Sequence, residues 1–116
     1  LDPAQRQRHE ARHLDAFDTW MFEADEPLAS LAALRNTLAE LPTEVIRAKG
    51  LVAVADSGRP VRFHLVGRML ANRFVDAWPE DWTPGTSRIA VLGAAGTLDP
   101  DALHAAFSAL LHPAHV

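Results

Sequence analysis

The sequence predicts an α+β fold: a two-layer sandwich with two helices on one face of a mostly antiparallel sheet of four to five strands, in the order β-α-β-β-β-β-α. Three observations predict it. Residues 44–55 and 61–70 alternate apolar with charged side chains at the period of a strand. Leucines recur at three- and four-residue steps in other segments, as on the buried stripe of a helix. Extended and helical segments follow one another along the chain, and elements with one apolar side each bury it by layering helix on sheet.

Residues 1–13 (LDPAQRQRHEARH) carry no apolar stripe and are assigned to a polar lead-in or linker. The domain itself is expected to span residues 14–112, with a tail at 113–116. Residues 14–23 are rich in aromatics and suit a strand, with Asp18 sharing a face with Trp20 and Phe22. Asp25-Glu26-Pro27 reads as a helix start, an acidic cap with proline in the first turn. Leu28, Leu31, Leu34, Leu38 and Leu41 form the stripe of that helix, and Pro42 stops it.

The next strand, residues 44–55, holds the sole lysine of the chain. One alternation (Ile46, Ala48, Gly50, Val52, Val54) is apolar or glycine and is assigned to the core. The other carries Arg47 and Lys49. Residues 56–60 (DSGRP) make a turn, and a strand over 61–70 completes a hairpin. Matching apolar face to apolar face puts Arg47, Lys49, Arg62, His64 and Arg68 on one side, because a one-residue slip would bury the charges. Residues 73–78 suit a short further strand, 79–87 a loop, and 88–93 (RIAVLG) a central strand. Asp99-Pro100 caps a second helix with Leu103, Phe107, Leu110 and Leu111 as its stripe, ended by Pro113.

Composition removes several function classes. The chain has 116 residues, enough for one domain with a core. Net charge is -4, so no global basic field recruits nucleic acid or an anionic membrane. With no cysteine there is no disulfide, thiolate metal site or cysteine nucleophile. No apolar run approaches the roughly 20 residues of a membrane span. The opening is polar and starts on Leu1, which suggests a piece of a longer or processed protein, and a cytoplasmic location is expected.

Motifs for reaction chemistry are sparse. His9-Glu10-Ala11-Arg12-His13 fits the HExxH pattern, in which two histidines one helical turn apart grip a metal and the glutamate acts as base. That pattern supports an alternative reading as a small histidine-based metal-binding protein or metal-dependent enzyme using His9, Glu10 and His13. It sits in a polar stretch without apolar flanks, so the expected catalytic set and metal set are both empty. His112 and His115 read as residues of a fraying terminus. Asp15 and Asp18 fall on opposite strand faces, which argues against paired acid–base work. Trp78 and Trp82, on either side of Pro79, line a groove or plug the sheet edge. Phosphate-loop, dinucleotide and nucleophile-elbow patterns are missing. The basic hairpin face is open to three readings: a solvated surface, a docking surface, or an anion site. Leu51, Ala53 and Val66 among its charges favour docking. A free-standing scaffold that dimerises through this face is a blander possibility.

The succession Leu41-Pro42, Val45-Ile46-Arg47-Ala48-Lys49-Gly50, a tryptophan-containing segment, then Arg88-Ile89-Ala90-Val91-Leu92-Gly93, Leu98-Asp99 and Leu103 resembles the C-terminal domain of the CobW family. These are P-loop GTPases of cobalamin synthesis and metal homeostasis. The resemblance runs from about residue 13 to 111 and implies a non-catalytic accessory domain. GTP, magnesium and zinc or cobalt are implied for the full-length family and no cofactor for this chain. The implied partners are an N-terminal GTPase domain of the same protein and a metal-receiving client, with no nucleic acid and no membrane. The expected interaction surface is Arg47, Lys49, Arg62, His64 and Arg68.

Overall fold

The computed structural model of the chain describes residues 16–55, 57, 59–75 and 77–111. The elements are β1 (Phe17–Ala24), α1 (Leu31–Ala39), β2 (Val45–Val52), β3 (Val61–Val66), β4 (Met69–Phe74), β5 (Ser87–Ala94) and α2 (Pro100–Ser108). The five strands form one sheet in the order β1-β5-β2-β3-β4, and every pairing is antiparallel. The predicted α+β sandwich is therefore the fold of the chain. Among the described residues, no helix is long and apolar enough to cross a membrane.

Alternation decides what each strand buries. Val61, Phe63 and Leu65 of β3 and Ile89 and Val91 of β5 turn inward and are buried. They join Leu34 and Leu38 of α1 and Leu103 and Phe107 of α2 in one core. Phe107 stacks against Trp20 and lies beside Phe22, with ring centroids 5.8 Å apart in each case. Both helices thus lie over the same face, and among the described residues no helix covers the opposite face of the sheet.

The structure departs from the sequence expectations in three places. The first helix begins later than Asp25-Glu26-Pro27 suggests. The Leu28 backbone is taken by bridges to Val54 and Leu111, with the Leu28 N–H donating to the Ala53 carbonyl at 2.8 Å. Helix geometry starts only past this tie, where the Ser30 hydroxyl accepts from the Ala33 N–H at 3.0 Å. Asp25 instead accepts from the Thr86 hydroxyl at 3.3 Å.

The predicted strand over 61–70 is two strands. Gly67 has φ of +58° and no non-glycine residue of the described chain has a positive φ, so Gly67-Arg68 makes a two-residue turn of the II′ pattern. Met69, which unbroken alternation from Val61, Phe63 and Leu65 places on the buried face, is 81% exposed. The strand assigned to 73–78 correspondingly lies at Met69–Phe74.

In β2, pairing with β5 shifts register between Val45 and Arg47. Ile46 is the extra residue of this bulge, so Val45 enters the core and Ile46 is pushed out to 36% exposure. From Ala48 onward the predicted faces hold. The second helix starts where predicted, with the Asp99 side chain accepting from the Ala102 N–H at 3.2 Å and Pro100 in the first turn.

Candidate functional site

The face away from the helices is the candidate site. Antiparallel partners point the same way, so the register lays out the face row by row. One row runs Thr19, Leu92, Arg47, Val66, Met69. The next runs Met21, Ala90, Lys49, His64, Ala71, and the third Glu23, Arg88, Leu51, Arg62, Arg73. Arg47, Lys49, Arg62 and His64 are thereby brought together and exposed.

Arg68 is not with them. It sits in the β3–β4 turn and its guanidinium donates to the Ala39 carbonyl at 3.3 Å and the Leu41 carbonyl at 3.0 Å. It caps the C-terminal end of α1 on the helix side, where carbonyls lack intrahelical partners.

Among the described residues the face carries one carboxylate, Glu23, whose Oε2 lies 3.3 Å from Arg88 Nε. That contact is ionic rather than a directed hydrogen bond, since Arg88 Nε has no hydrogen-bond partner. The Arg88 guanidinium also stacks on Trp82, 4.6 Å from the ring centroid. Trp82 is anchored by donating Nε1–H to the Thr86 carbonyl at 2.7 Å, and Trp78 stacks on it at 6.5 Å. Trp82 therefore lies over one end of the face, where it lines a hollow with Leu51, Arg62 and Arg88, rather than plugging the sheet edge.

Between the rows lies a hollow of about 450 Å³, lined by Thr19, Ala90 and Leu92 on one side and Arg47, Lys49, His64 and Val66 on the other. Its apolar side was missed by sequence reasoning. The signal was the alternate set Arg88, Ala90, Leu92 within a segment read as apolar throughout. Met21 at 56% and Val66 at 51% exposure extend the apolar surface around the hollow. A concave seat with exposed apolar side chains and unpaired cations suits contact with another macromolecule better than reaction chemistry.

Among the described residues no group of three or more His, Cys, Asp or Glu converges on a point, and the sequence lacks a phosphate-binding loop. His9, Glu10 and His13, like His112 and His115, lie outside the described residues.

Comparison with known proteins is consistent with this geometry. The family model described as "Cobalamin synthesis protein cobW C-terminal domain" matches residues 17–111. A search of the curated proteins gives no match. Among solved structures, Zn(II)-bound YjiA GTPase from E. coli is similar at 20% identity and a TM-score of 0.66, covering 88% of this chain and 32% of that one. A triple mutant of YjiA GTPase, also Zn(II)-bound, matches at 20% identity and a TM-score of 0.67, covering 84% of this chain and 30% of that one. At this identity the likeness is one of fold, and the chain spans about a third of the length of those GTPases.

Proposed function

The chain belongs to the CobW C-terminal domain family, and from that premise we propose that it is the non-catalytic accessory domain of a CobW-like, GTP-dependent metallochaperone of the cytoplasm. The parent protein serves cobalamin synthesis or metal homeostasis, with GTP, magnesium and zinc or cobalt handled by its N-terminal part. The accessory domain, residues 14–112, docks on the GTPase domain or on a metal-receiving client and relays nucleotide state to that contact.

The outer sheet face carries this reading. Arg47, Lys49, Arg62 and His64 are exposed together beside Met21, Val66 and Leu92, and the chain as a whole is acidic. Interfaces between domains of one protein are usually modest and fairly polar, and a mixed basic and apolar patch fits that description. Reversing both charges (Arg47→Glu with Lys49→Glu) is expected to weaken association with the GTPase domain at least tenfold. Folding stability should change by no more than about 1 kcal/mol, because exposed charges contribute little. Titration calorimetry with the separately expressed GTPase domain of the same protein reads the first, and urea unfolding the second. Unchanged association would refute the role.

A further inference from the structure

We propose that the outer face seats an amphipathic helix of a partner protein, its apolar stripe lying along β5 and β1 and a flank of Asp or Glu side chains facing the cations of β2 and β3. The inference rests on the docking reading above and names the chemistry of what docks.

The face is divided lengthwise. Along β1 and β5 it presents Thr19, Met21, Ala90 and Leu92, without charge until the Glu23–Arg88 pair at the end. Along β2 and β3 it presents Arg47, Lys49, His64 and Arg62. Among the described residues none of these four makes an ion pair, and the face's carboxylate is already engaged by Arg88. A complementary surface is therefore apolar on one side and acidic on the other.

A helix meets that requirement and an extended segment does not. Peptides that join a sheet as strands need unpaired ladder groups, and here those lie on the edges, β1 and β4, not on the face. A helix satisfies its own backbone hydrogen bonds and can rest on a face through side chains alone. Its apolar stripe, roughly 100° wide, matches a strip two strands across. Same-face residues along a strand repeat about every 6.8 Å, so the strip from Phe17 to Met21 accommodates about two to three helical turns of 5.4 Å. The alanine at position 90, between Met21 and Lys49 in its row, leaves the hollow of about 450 Å³ at the boundary of the two strips. A large apolar side chain of the helix fills it while neighbouring carboxylates reach Lys49 and Arg47.

The probe is a synthetic 18-residue helical peptide with a leucine stripe and glutamates along one flank, titrated into the isotope-labelled chain and followed by NMR. Two controls carry lysine in place of glutamate, or a central proline that breaks the helix. Saturable binding of the glutamate peptide is expected, with shifts concentrated at Thr19, Met21, Lys49, Ala90 and Leu92 and at least tenfold weaker binding of both controls. Met21→Glu and Lys49→Glu, each at an exposed position, should keep a native spectrum and each lose tenfold or more. Equal binding of either control, shifts centred on α1 or α2, no binding up to millimolar peptide, or displacement of the peptide by millimolar inorganic phosphate would overturn the helix seat. If the peptide fails while the double charge reversal still abolishes docking of the GTPase domain, the helix is wrong and the docking role stands. If the peptide binds and that domain does not, the converse holds.

Discussion

A methyl group on Gly50 would lie 2.6 Å from the Arg88 carbonyl oxygen and 2.7 Å from the edge of the Phe63 ring. The ring lies across the glycine from the neighbouring strand, so the side chain missing from β2 is supplied by β3. Gly50→Ala is expected to destabilise the fold by about 1–3 kcal/mol, the usual cost of overpacking, measured as a lower urea midpoint at unchanged slope. Sequence alone places Gly50 on the inward face but not the ring above it, because the contact depends on cross-strand register. Arg68 is the opposite case. Alternation through 61–70 puts it among the cations of the outer face, but a turn at Gly67 rotates it onto the carbonyls of Ala39 and Leu41. Arg68→Ala should cost about 0.5–1.5 kcal/mol, the range for hydrogen bonds at a partly exposed site, and leave docking unchanged. Arg47 and Lys49 should give the reverse pattern in the same two assays.

Elements are most legible where a side chain acts on its own backbone. Asp99-Pro100 marks the start of α2 because the carboxylate and the ring act within the first turn. Asp25-Glu26-Pro27 carries the same local signal, yet the helix waits for Ser30, since Leu28 is held between the segment after β2 and the segment after α2. That tie is tertiary and leaves no mark in the residues around it. The bulge in β2 is likewise invisible to alternation, which favours Ile46 over Val45 for the core. The two positions can be told apart by experiment. Val45→Ala, which opens a cavity at a residue 7% exposed, should cost about 1–3 kcal/mol, while Ile46→Ala should cost under about 1 kcal/mol, both by denaturant unfolding.

Over the whole molecule, charge is sorted by face. Net charge is -4, yet the surface away from the helices bears Arg47, Lys49, Arg62, Arg73 and His64 against Glu23, which is paired. The sequence reveals this sorting through the hairpin, where alternation and pairing agree. It reveals the apolar half of the same face poorly, because β5 reads as apolar on both sides, as a central strand does. Centrality was legible in 88–93; the neighbours it separates were not, since pairing β1 with β5 joins segments distant in sequence, Phe17 with Ala94 at one end and Ala24 with Ser87 at the other.

That arrangement delays closure of the sheet during synthesis. β5 is the last strand made and it fills the gap between β1 and β2. While translation is under way, the nascent β1 has no neighbour and β2 is flanked on one side only, which leaves unsatisfied strand edges open to wrong partners. A polypeptide ended after residue 86 should therefore show no cooperative thermal transition by circular dichroism, although it contains four of the five strands. The ribosome must deliver the centre of the sheet before β1 can be joined to the paired strands β2, β3 and β4.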